Sequence, residues 1–86
     1  KRLKIDRQLV KPIVASSQER ALVSSIIEIA RSLGVETVAE GVETLAHAEL
    51  LRDLGCDLLQ GYAFARPLSF DDFAIEARGT AWLLAS

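Results

Sequence analysis

One short pattern occurs twice, 21 residues apart, and it constrains this chain more than any other feature. Arg31-x-Leu33-Gly34-x-Glu36 recurs as Arg52-x-Leu54-Gly55-x-Asp57. Each copy reads as a helix end, a glycine stop and the start of a strand. Each strand then reaches a polar residue followed by glycine, Glu40-Gly41 in the first copy and Gln60-Gly61 in the second. With the elements before and after, the order is strand-helix-strand-helix-strand-helix with short connections. That order implies an α/β chain with parallel strands and right-handed crossovers.

The first strand is Leu3-Lys4-Ile5-Asp6, alternating apolar and charged residues, expected over about residues 2–6. Period-two alternation puts Lys4 and Asp6 on one face. Asp6 suits a structural role better than a catalytic one. Pro12 then argues against a long helix running through it. Ser16-Ser17-Gln18-Glu19 is a capping-box pattern. In it the Ser16 hydroxyl accepts the amide three residues on and Glu19 reaches back. The helix that follows carries an apolar stripe of Leu22, Ile26, Ile29, Ala30 and Leu33, widened by Val23 and Ile27. Gly34 ends it, and a strand is expected over 35–39, with Gly41 letting the backbone turn after Glu40.

Thr44 is a good N-cap for a second helix with Leu45, Ala48, Leu51 and Leu54 on one face and Gly55 as its stop. Cys56 to Tyr62 reads as a third strand running into a turn, and Pro67 ends the loop. Ser69 with Asp72 opens a last helix to about Ala77, with acidic residues in its first turn. The pattern divides the chain into residues 1–77, three β/α units, and a tail, 78–86, whose apolar Trp82, Leu83 and Leu84 have no assigned place.

The ends of parallel strands lie together, so Lys4, Glu40 and Gln60 are expected to converge on one rim. A lysine, a glutamate and a glutamine suit a phosphate ligand. Lys4 could neutralise a phosphoryl oxygen or hold a water. Glu40 could ligate a hard cation or take a proton, and Gln60 could orient a water or ligand. The competing reading makes Glu40 and Glu43 loop-edge carboxylates that cap helix N-termini. His47, four residues after Glu43, suits a surface pair with it rather than a metal site. Cys56 suits packing as a small hydrophobe.

Eighty-six residues make at most one small domain, and half of them are hydrophobic, more than so small a chain hides easily. A net charge of −2 makes no bulk electrostatic case for a nucleic acid polymer or a membrane. The basic start (Lys1, Arg2, Lys4, Arg7 and Lys11) reads as solvated surface, with Lys4 the exception. No apolar run approaches the roughly 20 residues that span a bilayer, so no membrane contact is expected from this segment. A single cysteine fits a reducing compartment, such as the cytoplasm. With no methionine, the chain is expected to be processed or a piece of something longer.

Three groups of residues carry a family resemblance in their order and spacing. They are Leu3-Lys4-Ile5-Asp6-Arg7, Val38-Ala39-Glu40-Gly41-Val42-Glu43, and Leu54-Gly55-Cys56-Asp57 leading to Gln60-Gly61-Tyr62 and Arg66-Pro67-Leu68. Together they closely resemble the C-terminal third of the EAL family, the cyclic-di-GMP phosphodiesterases of bacterial signalling. The resemblance covers the chain to about residue 77. It implies a TIM-like (β/α)8 barrel of which this chain supplies the last three β/α units, incomplete by itself. It implies hydrolysis of cyclic-di-GMP to the linear dinucleotide pGpG with two Mg2+ or Mn2+ ions.

By that match Lys4 is the family's catalytic lysine, in contact with the attacking water or the phosphate. Glu40 is a metal ligand or general base, Glu43 a supporting glutamate, and Gln60 the site glutamine of the last strand. The Glu-Ala-Leu signature, the metal-binding Asn and Glu of the middle strands and the paired aspartates belong upstream of Lys1. The isolated chain is therefore expected to be inactive. Its open strands are expected to be covered by the remainder of the barrel, by another chain or by self-association. The alternative is a non-catalytic EAL remnant that binds nucleotide or protein. The intact Lys4, Glu40, Glu43 and Gln60 favour catalysis in the parent.

Overall fold

The computed structural model describes residues 1–61 and 66–77. Three strands, β1 (Arg2–Ile5), β2 (Glu36–Val42) and β3 (Leu58–Gly61), form a parallel sheet in sequence order. The connection after β1 holds the short helix α1 (Arg7–Val10), a 3-10 turn at Lys11–Ile13 and the long helix α2 (Ser17–Ser32). Helix α3 (Leu45–Leu54) joins β2 to β3, and α4 (Phe70–Ala77) closes the described chain. The three β/α units and parallel pairing match the expectation from the repeated pattern. The expected end of the third strand at Tyr62 and the tail 78–86 lie outside the described residues.

The sheet has one apolar and one mainly polar face because side chains alternate along each strand. Ile5, Ala39 and Leu59 are in register and belong to the core. The core is completed by Val10 and Ile13 from the first connection, Val23 and Ile27 of α2, Ala48 and Leu51 of α3, and Phe73 and Ala77 of α4. The other face carries Arg2, Lys4, Glu36, Glu40 and Gln60 around the buried Val38 and its register partner Leu58, and an Arg2–Glu36 ion pair of 2.8 Å spans its N-terminal end.

Helix α2 corrects the expected stripe. Val23, Ile27 and Ala30 are buried, whereas Ile29 and Leu33 are 61% and 72% exposed and Leu22 is exposed too. The apolar stripe is wider than the face the sheet covers, so spacing alone does not choose the face. Contact with the sheet does. Only half of the capping box forms. Ser16 Oγ accepts the Glu19 amide at 3.3 Å. The Ser16 amide goes to the Pro12 carbonyl at 2.9 Å, so it needs nothing from the Glu19 side chain. Gly34, at φ +69°, ends α2 as expected, with the Val35 amide returning to the Ala30 carbonyl at 2.8 Å.

Strand β2 also runs further than expected. It continues through Glu40 to Val42, and Gly41 is a bulge within it rather than a turn after it. Glu40 pairs with Gln60 and Val42 with Gly61, so Gly41 is the extra residue. Strand β3 begins later than expected, at Leu58, because Asp57 turns its side chain back to β2. Thr44 and Ser69 act as expected: their hydroxyls accept the amides of His47 and Asp72.

Candidate functional site at the C-terminal rim of the sheet

Lys4 and Glu40 meet on the polar face, with Nζ and Oε2 3.8 Å apart and the lysine largely exposed. Gln60 stands beside Glu40 in strand register. The convergence of Lys4, Glu40 and Gln60 is thus present in the geometry. It comes from the regular strand register, and the bulge follows directly after Glu40. At Gly41 φ is +74°, and a Cβ there would collide with Arg7 Cβ. Only glycine lets the strand take this step beside α1. The step leaves Glu40 toward Lys4 and turns Val42 into the core.

Glu43 does not join that group. It is exposed, and with Arg7, Gln8, Lys11 and Gly41 it lines a cleft of about 350 Å³ between the first and second connections. The cap of α3 is Thr44, so the capping role considered for Glu43 falls to its neighbour. Asp6 leaves the Lys4 face after β1. Its carboxylate accepts the Gln8 amide at 3.0 Å and caps α1, the structural role expected of it.

His47 corrects the expected pair with Glu43. Its Nε2 lies 2.8 Å from the Lys11 carbonyl, and its Nδ1 is hydrogen-bonded to Thr44 Oγ1. Cys56 packs against the core, half-buried, and its thiol donates to the Leu58 carbonyl at 3.3 Å. Burial pushes this thiol above its ordinary pKa, while hydrogen bonds to Thr37, Leu58 and Ala39 partly offset the rise. A thiol held protonated is a poor nucleophile, in keeping with its reading as a small hydrophobe.

Sequence reasoning missed the Thr37–Asp57 lock. Thr37 is 1% exposed. Its amide and hydroxyl both donate to Asp57 Oδ2, at 2.8 and 3.1 Å, and its hydroxyl accepts the Asp57 amide at 3.1 Å. The lock fixes β3 against β2 below the Glu40–Gln60 pair. The signal was in the repeat, where Asp57 takes the place of Glu36. Glu36 pairs backwards to Arg2, and nothing in the repeat says that its copy reaches sideways instead.

A hard cation takes six to eight oxygen ligands. Among the described residues no group of three or more His, Cys, Asp or Glu side chains is placed to hold a metal ion. One carboxylate beside a lysine ammonium does not fit two cations on its own. No helix among the described residues is long and apolar enough to cross a membrane.

A parallel β/α segment with polar side chains gathered at the strand ends is found both in barrel enzymes and in open α/β sheets. The EAL domain family model matches residues 1–67, and the chain belongs to that family. It is 46% identical over 66 residues to the bifunctional diguanylate cyclase/cyclic di-GMP phosphodiesterase MucR of Pseudomonas aeruginosa, covering 77% of this chain and 10% of that protein. It is 38% identical over 71 residues to the cyclic di-GMP phosphodiesterase RocR of the same organism, covering 83% of this chain and 18% of that one.

Among solved structures, the PaMucR phosphodiesterase in complex with c-di-GMP matches with a TM-score of 0.69 and 42% identity. That match covers 84% of this chain and 29% of the other. A manganese/cyclic-diGMP complex of Klebsiella pneumoniae BlrP1 matches with a TM-score of 0.70 and 39% identity, covering 80% and 18%. The described fold is thus part of an EAL barrel. The chain spans 9% and 10% of the length of two of the curated relatives it matches.

Proposed function

We propose that this chain is the C-terminal rim of a cyclic-di-GMP phosphodiesterase domain, which hydrolyses one phosphodiester bond of cyclic-di-GMP to give linear pGpG. The observation that carries the reading is the Lys4–Glu40 approach at 3.8 Å, with Gln60 in register beside Glu40. A phosphodiester is anionic, and its hydrolysis adds charge to the phosphoryl oxygens and takes a proton from water. In this reading the Lys4 ammonium meets that charge or holds the water, Glu40 accepts a proton or completes a cation site, and Gln60 orients the ligand. Glu43 supports the neighbouring loop.

Two divalent ions, Mg2+ or Mn2+, supply Lewis acidity in the complete domain. Their remaining donors come from outside this chain, and the 86 residues alone are inactive. Residues 1–77 form the EAL portion and 78–86 a tail, and the setting is the bacterial cytoplasm.

The test is turnover of cyclic-di-GMP by a complete EAL domain carrying this chain. Lys4→Ala and Glu40→Gln should each lower kcat by on the order of 10²–10⁴-fold, with the fold retained by circular dichroism. Unchanged turnover in both would sink the reading. The second reading is a non-catalytic EAL remnant that binds nucleotide or protein. Calorimetry that finds cyclic-di-GMP bound but never cleaved, with Mg2+ and with Mn2+, would select it.

A further inference from the structure

We infer that His47 is a positioning residue. It struts the two walls of the cleft that Gly41, the residue after Glu40, lines with Arg7, Gln8, Lys11 and Glu43, and so sets the width of that cleft. One wall comes from the connection after β1 and carries Arg7, Gln8 and Lys11. The other is the end of β2 and the residue after it, and carries Gly41 and Glu43. Between the two connections lies the imidazole of His47, in the first turn of α3.

Its Nε2 reaches the Lys11 carbonyl at 2.8 Å, across 36 residues of sequence. A carbonyl only accepts, so in the neutral ring Nε2 carries the hydrogen and Nδ1 accepts. The partner at Nδ1 is Thr44 Oγ1, which also accepts the His47 amide at 3.1 Å. One hydroxyl therefore caps α3 and fixes the tautomer of the ring that holds the opposite wall. From the other side, Arg20 of α2 donates to the carbonyls of Ile13 at 3.0 Å and Val14 at 3.3 Å. The turn at Lys11–Ile13 is thus gripped from α2 and from α3. Only the α3 grip couples it to the residue next to Glu43.

The strut has a consequence for ligand binding. Arg7 and Lys11 are exposed cations on one wall, and Glu43 is an exposed carboxylate on the other. A ligand bearing both phosphodiester charge and base N–H groups uses both walls at once, and their spacing decides how well it does so. Releasing the Lys11 carbonyl from His47 lets the first wall move without touching Lys4, Glu40 or Gln60. The expected signature is weaker binding with intact chemistry.

This consequence rests on the function proposed above, and the experiment keeps the two apart. In a complete EAL domain carrying this chain, His47→Ala should raise KM for cyclic-di-GMP about tenfold, with kcat within about twofold of the parent. His47→Gln, whose amide nitrogen can donate to the Lys11 carbonyl in place of Nε2, should restore KM most of the way. Simple loss of fold would lower apparent kcat by removing active molecules and would not give this split. An unchanged KM in His47→Ala, or His47→Gln behaving like His47→Ala, would overturn the inference.

On the parent domain, 15N spectra of the imidazole should show the hydrogen on Nε2 and a hydrogen-bonded Nδ1. A neutral ring with its hydrogen on Nδ1 would overturn the strut whatever the kinetics. A parent domain that turns nothing over sinks the functional reading alone, and the spectrum then decides the strut.

Discussion

Gly41 is the residue on which the rim depends most directly. Its φ of +74° and the collision of an added Cβ with Arg7 Cβ are two separate reasons for glycine. The first is backbone strain, and the second is a clash with a part of Arg7 that cannot swing away. Gly41→Ala should therefore destabilise the fold by about 1–3 kcal/mol, as positions held in a sparsely populated backbone region do. It should also displace α1 from β2. Urea denaturation measures the first effect, and the loss of cyclic-di-GMP turnover in a complete domain reports the second. A variant as stable as the parent would mean that the bulge relaxes without cost. Gly34 makes the useful contrast, since its φ is positive but nothing lies within 4 Å of its added Cβ.

At the scale of the element, α2 separates periodicity from packing. Its sequence offers two adjacent apolar seams, and the sheet buries the one containing Val23, Ile27 and Ala30. Truncating Ile27, which is 1% exposed, leaves a cavity that its neighbours only partly fill. Ile27→Ala should cost about 2–4 kcal/mol in chemical denaturation. Ile29→Ala, on the exposed seam, should stay within about 0.5 kcal/mol. Equal losses at the two positions would mean that the helix buries both seams in solution. Arg31 and Arg52 show the same dependence on surroundings. Arg31 donates to the Gly55 carbonyl at 3.4 Å, and Arg52 lies 4.5 Å over the Phe70 ring. Each copy of the repeated arginine thus ties its own helix to the unit that follows.

For the molecule as a whole, the question is what covers the sheet. The main core cluster lies against one face, although Val38 on the other is also buried. The other holds charged side chains, with Lys4 and Arg2 open to solvent. Among the described residues, the outer edge of β3 is paired only where Leu59 and Leu68 exchange two hydrogen bonds of 2.7 Å. Edge groups left unpaired invite another strand. Together with the exposed Leu22, Ile29 and Leu33, this leads to the expectation that the 86-residue chain by itself associates. Light scattering should give a mass above the 9.4 kDa of one chain. A well-folded monomer would count against that expectation.

The amino-acid sequence by itself determined the strand-helix order, the helix stops at Gly34 and Gly55, the caps at Thr44 and Ser69 and the gathering of Lys4, Glu40 and Gln60. Each depends on neighbours within a few residues, or on a repeat that sets strand ends level. The tertiary structure alone decided which seam of α2 is buried, that Gly41 is a bulge, that Asp57 locks Thr37, and that His47 reaches Lys11 instead of Glu43. Those outcomes depend on which backbone groups far apart in sequence come within hydrogen-bonding distance. Local periodicity fixes the direction of a side chain but not the partner that it meets.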